Sequence, residues 1–269
     1  MIDAHLHLQD CLSEVSADEL ISKLRSLGIT TLVVNGTCPG DWEVVSELAD
    51  AFDEVIPSFG VHPWKVKDLD PAWASLLAGY LEKHPGAGIG EIGLDKWIRD
   101  YDLPRQREVF FKQMEIAASM QRVVSVHCLQ AWGSLLECWA ETSYQGPFLL
   151  HSYGGPAEMV SDWVRLGAYF SLSGYFFRED KTNKLLAFEA VPEDRVLLET
   201  DAPDMALANT HVRYRGPAVA NHPANLEVIY ELYGQWAGLE VDEVNSRMQR
   251  NFGRLRDYQS LKIGQPDSE

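Results

Sequence analysis

The sequence predicts a single α/β domain folded as a TIM-type (β/α)₈ barrel with extra C-terminal helices. Three observations carry this prediction. Short β-rich runs recur roughly every 20 to 35 residues, the spacing of βα units joined by short loops. The segments between them repeat apolar residues at the helical period. An open doubly wound sheet would want a Gly-rich phosphate turn after its first strand, and none is present. A chain of 269 residues with 46% apolar residues suffices to fill one such barrel.

Taken in order, the predicted strands are 2–8, 31–36, 55–61, 88–94, 123–128, 148–151, 168–173 and 196–200. Ser16-x-x-Glu19 reads as a capping box ahead of Leu20, Leu24 and Leu27, with Gly28 as the stop signal. Trp42, Val45, Ala49 and Phe52 form one apolar stripe, as do Trp73, Leu76, Leu77, Tyr80 and Leu81. Phe110, Met114, Ala117 and Met120 continue the pattern before the fifth strand. The polar stretch 210–225, rich in Pro, Gly and Arg, predicts a long loop after the eighth strand. It leads into two helices at about 224–236 and 241–258. No linker composition or internal repeat divides the chain, so residues 1–269 read as one domain, with 258–269 as a flexible tail.

Composition narrows the functional classes. With 23 Lys+Arg against 40 Asp+Glu the formal net charge is −17, which repels phosphate backbones and anionic membranes at long range. A bound cation would reverse that sign locally. The four cysteines have no C-x-x-C spacing and read as reduced thiols of a cytoplasmic protein. The N-terminus lacks a basic segment with an apolar core, and no run approaches about 18 apolar residues. Neither a membrane nor a stable protein partner is predicted.

The chemistry concentrates in histidine. Five of the eight histidines (His5, His7, His62, His127 and His151) fall in or just after predicted strands. In a parallel barrel those strand ends form the active-site face. Side chains two apart on a strand point to one side, so His5 and His7 are placed to chelate one ion. Asp3 shares their face, as a partner fixing a histidine tautomer or as a simple strand-start carboxylate. Glu91 is a carboxylate in an apolar strand, which calls for a metal or for a salt bridge to an interior Lys or Arg. His127 and His151, taken singly, fit either a ligand or a hydrogen-bonded core histidine. Asp201 fits either a ligand or the cap of a following helix.

Together, five strands deliver six candidate ligands to one barrel mouth: His5, His7, Glu91, His127, His151 and Asp201. A catalytic zinc typically takes three protein ligands and a water. Six ligands divided over two divalent ions, with a carboxylate as bridge, fit a binuclear hydrolytic site.

The ordered motifs His5-Leu6-His7, Gly60-Val61-His62-Pro63, Gly90-Glu91-Ile92-Gly93-Leu94-Asp95, His127, His151-Ser152-Tyr153-Gly154-Gly155 and Glu199-Thr200-Asp201-Ala202-Pro203 resemble those of the TatD family of metal-dependent hydrolases, within the amidohydrolase-type barrels. Asn221-His222-Pro223-Ala224-Asn225-Leu226 and Arg250-Asn251-Phe252-Gly253-Arg254-Leu255 are similar to its C-terminal signatures. The resemblance implies that His5 and His7 with Glu91 and Asp201 hold one metal. Bridging Glu91 with His127 and His151 holds the other. It further implies hydrolysis of DNA, often from an end; the mixed N/O donors without cysteine suit Zn²⁺, Mn²⁺ or Mg²⁺ and do not choose between them. Asp201 would orient or deprotonate the attacking water, and His62 would contact the substrate phosphate. Lys65, Lys96, Arg178, Arg213 and Arg215 are candidate backbone contacts. Where the family pattern often has H-x-R, this chain has His127-Cys128-Leu129, which removes a cation that could have held a phosphate. A small ester, amide or lactone is the alternative substrate for the same metal pair.

Overall fold

A computed structural model describes residues 1–13, 15–216 and 220–260. Eight strands alternate with helices along these residues: β1 (Ile2–Leu6), α1 (Ala17–Ser26), β2 (Thr31–Asn35), α2 (Trp42–Ala51), β3 (Val55–Ser58), α3 (Trp73–Lys83), β4 (Ile89–Asp95), α4 (Leu103–Met120) and β5 (Val124–Leu129). The second half continues with α5 (Trp132–Glu141), β6 (Phe148–Leu150), α6 (Val160–Arg165), β7 (Ala168–Ser173), α7 (Thr182–Phe188), β8 (Val196–Glu199), α8 (Leu226–Ala237) and α9 (Val241–Ser260). Of the residues 258–269 expected to form a flexible tail, 258–260 belong to α9, and 261–269 lie outside the described residues.

Local chemistry accounts for the element ends. The Ser16 hydroxyl accepts from the Glu19 N–H at 3.2 Å and starts α1, whose Leu20, Ile21 and Leu24 are buried. Gly28 ends that turn with φ +75°, a left-handed conformation that glycine adopts without steric cost. Several strands stop earlier than predicted. β1 ends at Leu6, β3 at Ser58 and β6 at Leu150, so His7 and His151 follow their strands instead of lying in them, and His62 stands four residues beyond β3. The backbone has already left the ladder to form the mouth.

All strand pairs are parallel, in a β1-β2-β3 ladder and a β4-β5-β6-β7-β8 ladder. Backbone hydrogen bonds join the two ladders at both seams. Gly88 N–H reaches Pro57 O at 3.0 Å and Gly90 N–H reaches Phe59 O at 3.1 Å. On the other side, Asp201 N–H donates to His5 O at 3.0 Å and His7 N–H to Ala202 O at 2.8 Å. That second seam sets His5, His7 and Asp201 side by side. β4 is buried throughout, its apolar members packing in the barrel core while Glu91 and Asp95 are carried within it. Gly93 lets β4 and β5 approach closely, since a Cβ there would collide with the His127 carbonyl. No helix among the described residues is long and apolar enough to cross a membrane.

Candidate metal centre

Glu91 is the hub. Its side chain is buried, and histidines face both oxygens. Oε2 lies 3.4 Å from His5 Nε2 and 3.1 Å from His7 Nε2. Oε1 lies 2.9 Å from His127 Nδ1, 2.7 Å from His151 Nε2 and 3.4 Å from His62 Nε2. Asp201 Oδ1 stands 3.7 Å from His5 Nε2 and 3.6 Å from His7 Nε2. All six predicted ligands, and His62 with them, thus converge on one carboxylate. No lysine or arginine among the described residues pairs with Glu91, so the salt-bridge reading of this position falls away. The helix-cap reading of Asp201 falls away too, since none of the described residues between 202 and 222 is helical.

The far side of each ring decides what its near side can do, because in neutral imidazole one nitrogen donates and the other accepts. His7 Nδ1 meets the Asn35 carbonyl at 2.8 Å, an acceptor, so a neutral His7 ring carries its proton on Nδ1 and turns the Nε2 lone pair to the site. His127 Nε2 meets the Asp95 carboxylate at 2.8 Å, leaving the Nδ1 lone pair toward Glu91. His5 Nδ1 contacts Ser125 Oγ at 2.9 Å, and its Nε2 is buried without a hydrogen-bond partner. His62 is the opposite case: its Nδ1 accepts from the Trp64 N–H at 3.1 Å, so its neutral ring carries the proton on Nε2 and presents a donor to the site.

Electrostatics follow from burial and crowding. Burial holds the His5 ring down to about 4, with His151 adding to the effect, and burial likewise holds His62 down to about 4. Burial works against the His7 cation, yet the hydrogen bond and charge of Glu91, with Asp201, push His7 up to about 10. Burial raises Asp201 to about 7, although His151 and His7 pull the other way. Glu91 resists burial and stays well below the usual carboxylate range because His151, His62 and His127 surround it. An orphaned imidazole nitrogen, two carboxylates and the imidazoles of His7, His127 and His151, whose neutral forms can offer a lone pair, form a donor set suited to divalent cations. Among the described residues, three groups satisfy the geometry for holding an ion: His5, His7 and Asp201; His62, Glu91 and His127; and His5, His151 and Glu199.

Sequence reasoning missed several members of this site. Asp95 orients His127, and Ser125 rather than Asp3 meets the His5 ring. Asp3 instead accepts from Thr200 N–H at 2.9 Å and from Thr200 Oγ1 at 2.6 Å, tying β1 to the end of β8. Its proposed part in fixing a histidine tautomer is therefore corrected. Glu199, buried behind His151 with 3.7 Å between Oε1 and Nδ1, accepts hydrogen bonds from Ser152 and Ser171. Both overlooked carboxylates carried a signal. Asp95 is four residues after Glu91 and Glu199 two before Asp201, even spacings that keep a strand residue on one face.

A ring of histidines about one shared carboxylate, at the C-terminal mouth of a parallel (β/α)₈ barrel, defines the class: a metal-dependent hydrolase. Residues 2–257 match the family described as TatD related DNase, and the chain belongs to that family. The tatdn3 protein of Danio rerio is 28% identical over 277 residues, covering 97% of this chain and 98% of its own. The 3'-5' ssDNA/RNA exonuclease TatD of Klebsiella pneumoniae (strain 342) is 27% identical over 260 residues, covering 95% and 97%. The crystal structure of YjjV, a TatD homologue from Escherichia coli K12, superposes with a TM-score of 0.84 at 22% identity, covering 95% of this chain and 97% of that one; it supports the fold.

Proposed function

We propose that the chain is a single-domain, cytoplasmic phosphodiesterase that cleaves single-stranded nucleic acid, DNA foremost, with two divalent ions. The observation that carries the reading is the division of the Glu91 carboxylate, Oε2 toward His5 and His7 and Oε1 toward His127 and His151. In this reading His5, His7, Asp201 and Glu91 hold one ion, and Glu91, His127 and His151 the other. Such a pair supplies Lewis acidity and a water acidified toward neutrality. The chain's own groups do the rest. Asp95 and the Asn35 carbonyl keep the His127 and His7 rings in the tautomers that ligate. Asp201 accepts a proton beside His5 and His7, and the His62 Nε2–H donates to a phosphate oxygen. The 3'-5' ssDNA/RNA exonuclease named among the relatives supports the substrate class. The four cysteines are unpaired, in keeping with a reducing compartment.

Metal analysis of the purified protein is expected to find close to two divalent ions per chain. Excess chelator should abolish oligonucleotide cleavage and lower the melting temperature, because ions that bind only the folded chain stabilise it. Full activity in chelator would sink the proposal. A small ester or lactone remains the second reading, favoured by the absent phosphate-binding cation at position 129, and a panel of such esters assayed beside single-stranded DNA separates the two.

Leu129 closes β5 and is 38% exposed, in register with Asp95 of β4. Exposure means an arginine there buries no charge, so Leu129→Arg should fold normally. One charge-assisted bond to a phosphate contributes about 1.5–3 kcal/mol. kcat/KM on oligonucleotides should therefore rise about tenfold to about a hundredfold, with no gain on an uncharged ester. A folded variant that gains nothing on DNA, from a parent that hydrolyses neutral esters well, would favour the second reading.

A further inference from the structure

Two indoles stand exposed at the mouth of the site, Trp64 at 46% and Trp97 at 59%. Their rings lie 6.1 Å apart and within 26° of parallel. Trp64 packs edge-to-face with His62, ring centroids 5.0 Å apart, and with His127 at 6.4 Å, so the pair begins where the metal centre ends. Both segments are anchored to the site. Trp64 N–H binds His62 Nδ1, and Trp97 N–H donates to Asp95 Oδ1 at 2.6 Å. Packing does not call for this exposure, because Trp42 and Trp163 are fully buried in the same chain. Exposed aromatic surface beside a catalytic mouth is a recognition feature.

Charge narrows the ligand. Each indole lies in a short basic run, Trp64-Lys65-Val66-Lys67 and Lys96-Trp97-Ile98-Arg99, in a chain whose net charge is −17. Lys67 Nζ donates to the Asp100 carbonyl at 2.8 Å, fastening the two runs to each other. Parallel π-faces flanked by cations suit a base with its phosphates, and only an unpaired strand offers the base face.

Resting on the proposed phosphodiesterase reading, we infer that Trp64 and Trp97 form a stacking platform for a nucleobase of a single-stranded nucleic acid, which holds the strand over the metal centre. Trp97 is the residue to test, because Trp64 also touches the rings at the site. The probes are a cleavage-resistant phosphorothioate oligothymidylate and a strand of equal length with abasic spacers, bound to metal-loaded protein and followed by fluorescence anisotropy. Trp97→Ala should weaken the oligothymidylate about tenfold, the size of a lost base stack. It should leave the abasic strand unchanged, and Trp97→Phe should restore most of the loss. Equal binding by Trp97→Ala and parent, or equal loss on both strands, would overturn the platform. Cleavage of unmodified DNA by the parent is measured alongside. Cleavage with unaltered Trp97→Ala binding defeats the platform alone, whereas a parent that neither cleaves nor binds single strands defeats the phosphodiesterase reading and the platform together.

Discussion

Glu91→Gln is expected to reduce turnover on the order of 10³-fold or more and to bring metal content below one ion per chain. Removing one preorganised charge from a water-poor site costs about 10²–10³-fold, and this one serves two ions at once in the proposed arrangement. Glutamine has the same shape but one oxygen and no charge. It could accept on the His5 and His7 side or on the His127 and His151 side, and not on both. Two cations facing a neutral amide would be under-neutralised and would dissociate. Because the replacement is isosteric, the folded fraction by circular dichroism should match that of the metal-free parent. Unaltered metal content with near-normal turnover would mean that Glu91 serves only to neutralise the buried histidines.

Asp201→Asn should lower kcat by about 10²–10⁴-fold, the cost of losing a positioned base, while changing KM far less. The backbone makes this substitution unusually clean. Asp201 has φ +52°, a left-handed conformation that asparagine adopts as readily as aspartate and that alanine does not. Its N–H bond to the His5 carbonyl at 3.0 Å, which closes the seam between β8 and β1, survives the change. The variant therefore isolates the carboxylate charge from the architecture. Steady-state kinetics on an oligonucleotide, with metal content measured on the same sample, decides the matter. Normal turnover by the folded variant would reduce Asp201 to a residue of the barrel seam.

The predicted fold was legible because barrel strands repeat a simple physical pattern. A buried parallel strand is an apolar run, an outer helix is a stripe of period 3.6, and turn residues separate them. Ser16, Gly28 and the Trp73–Leu81 stripe act within a few residues of themselves, so their effects are written in the local sequence. Strand ends were less legible. β1, β3 and β6 end one to three residues before the predicted limits, although His7, His62 and His151 still donate their N–H groups to the carbonyls of Ala202, Thr37 and Val126; where a strand stops depends on partners far along the chain, and local propensity carries no record of them.

The site divides along the same line. By itself the sequence determined which residues meet: His5, His7, Glu91, His127, His151 and Asp201 are metal-ligating types at the ends of parallel strands, and a parallel barrel brings such ends to one mouth. Only the tertiary structure decided how they are arranged. Which nitrogen each ring presents depends on Ser125, 120 residues from His5, on Asn35, 28 residues from His7, and on Asp95, 32 residues from His127. Asp3, which the sequence placed beside His5, is claimed by Thr200 across 197 residues. His62, one more histidine in the sequence, is set apart as a donor by a single backbone N–H. The physical reason is range: periodicity and turn chemistry act along a few residues of chain, whereas a proton's place on an imidazole is chosen by whatever group the folded chain sets against its other nitrogen.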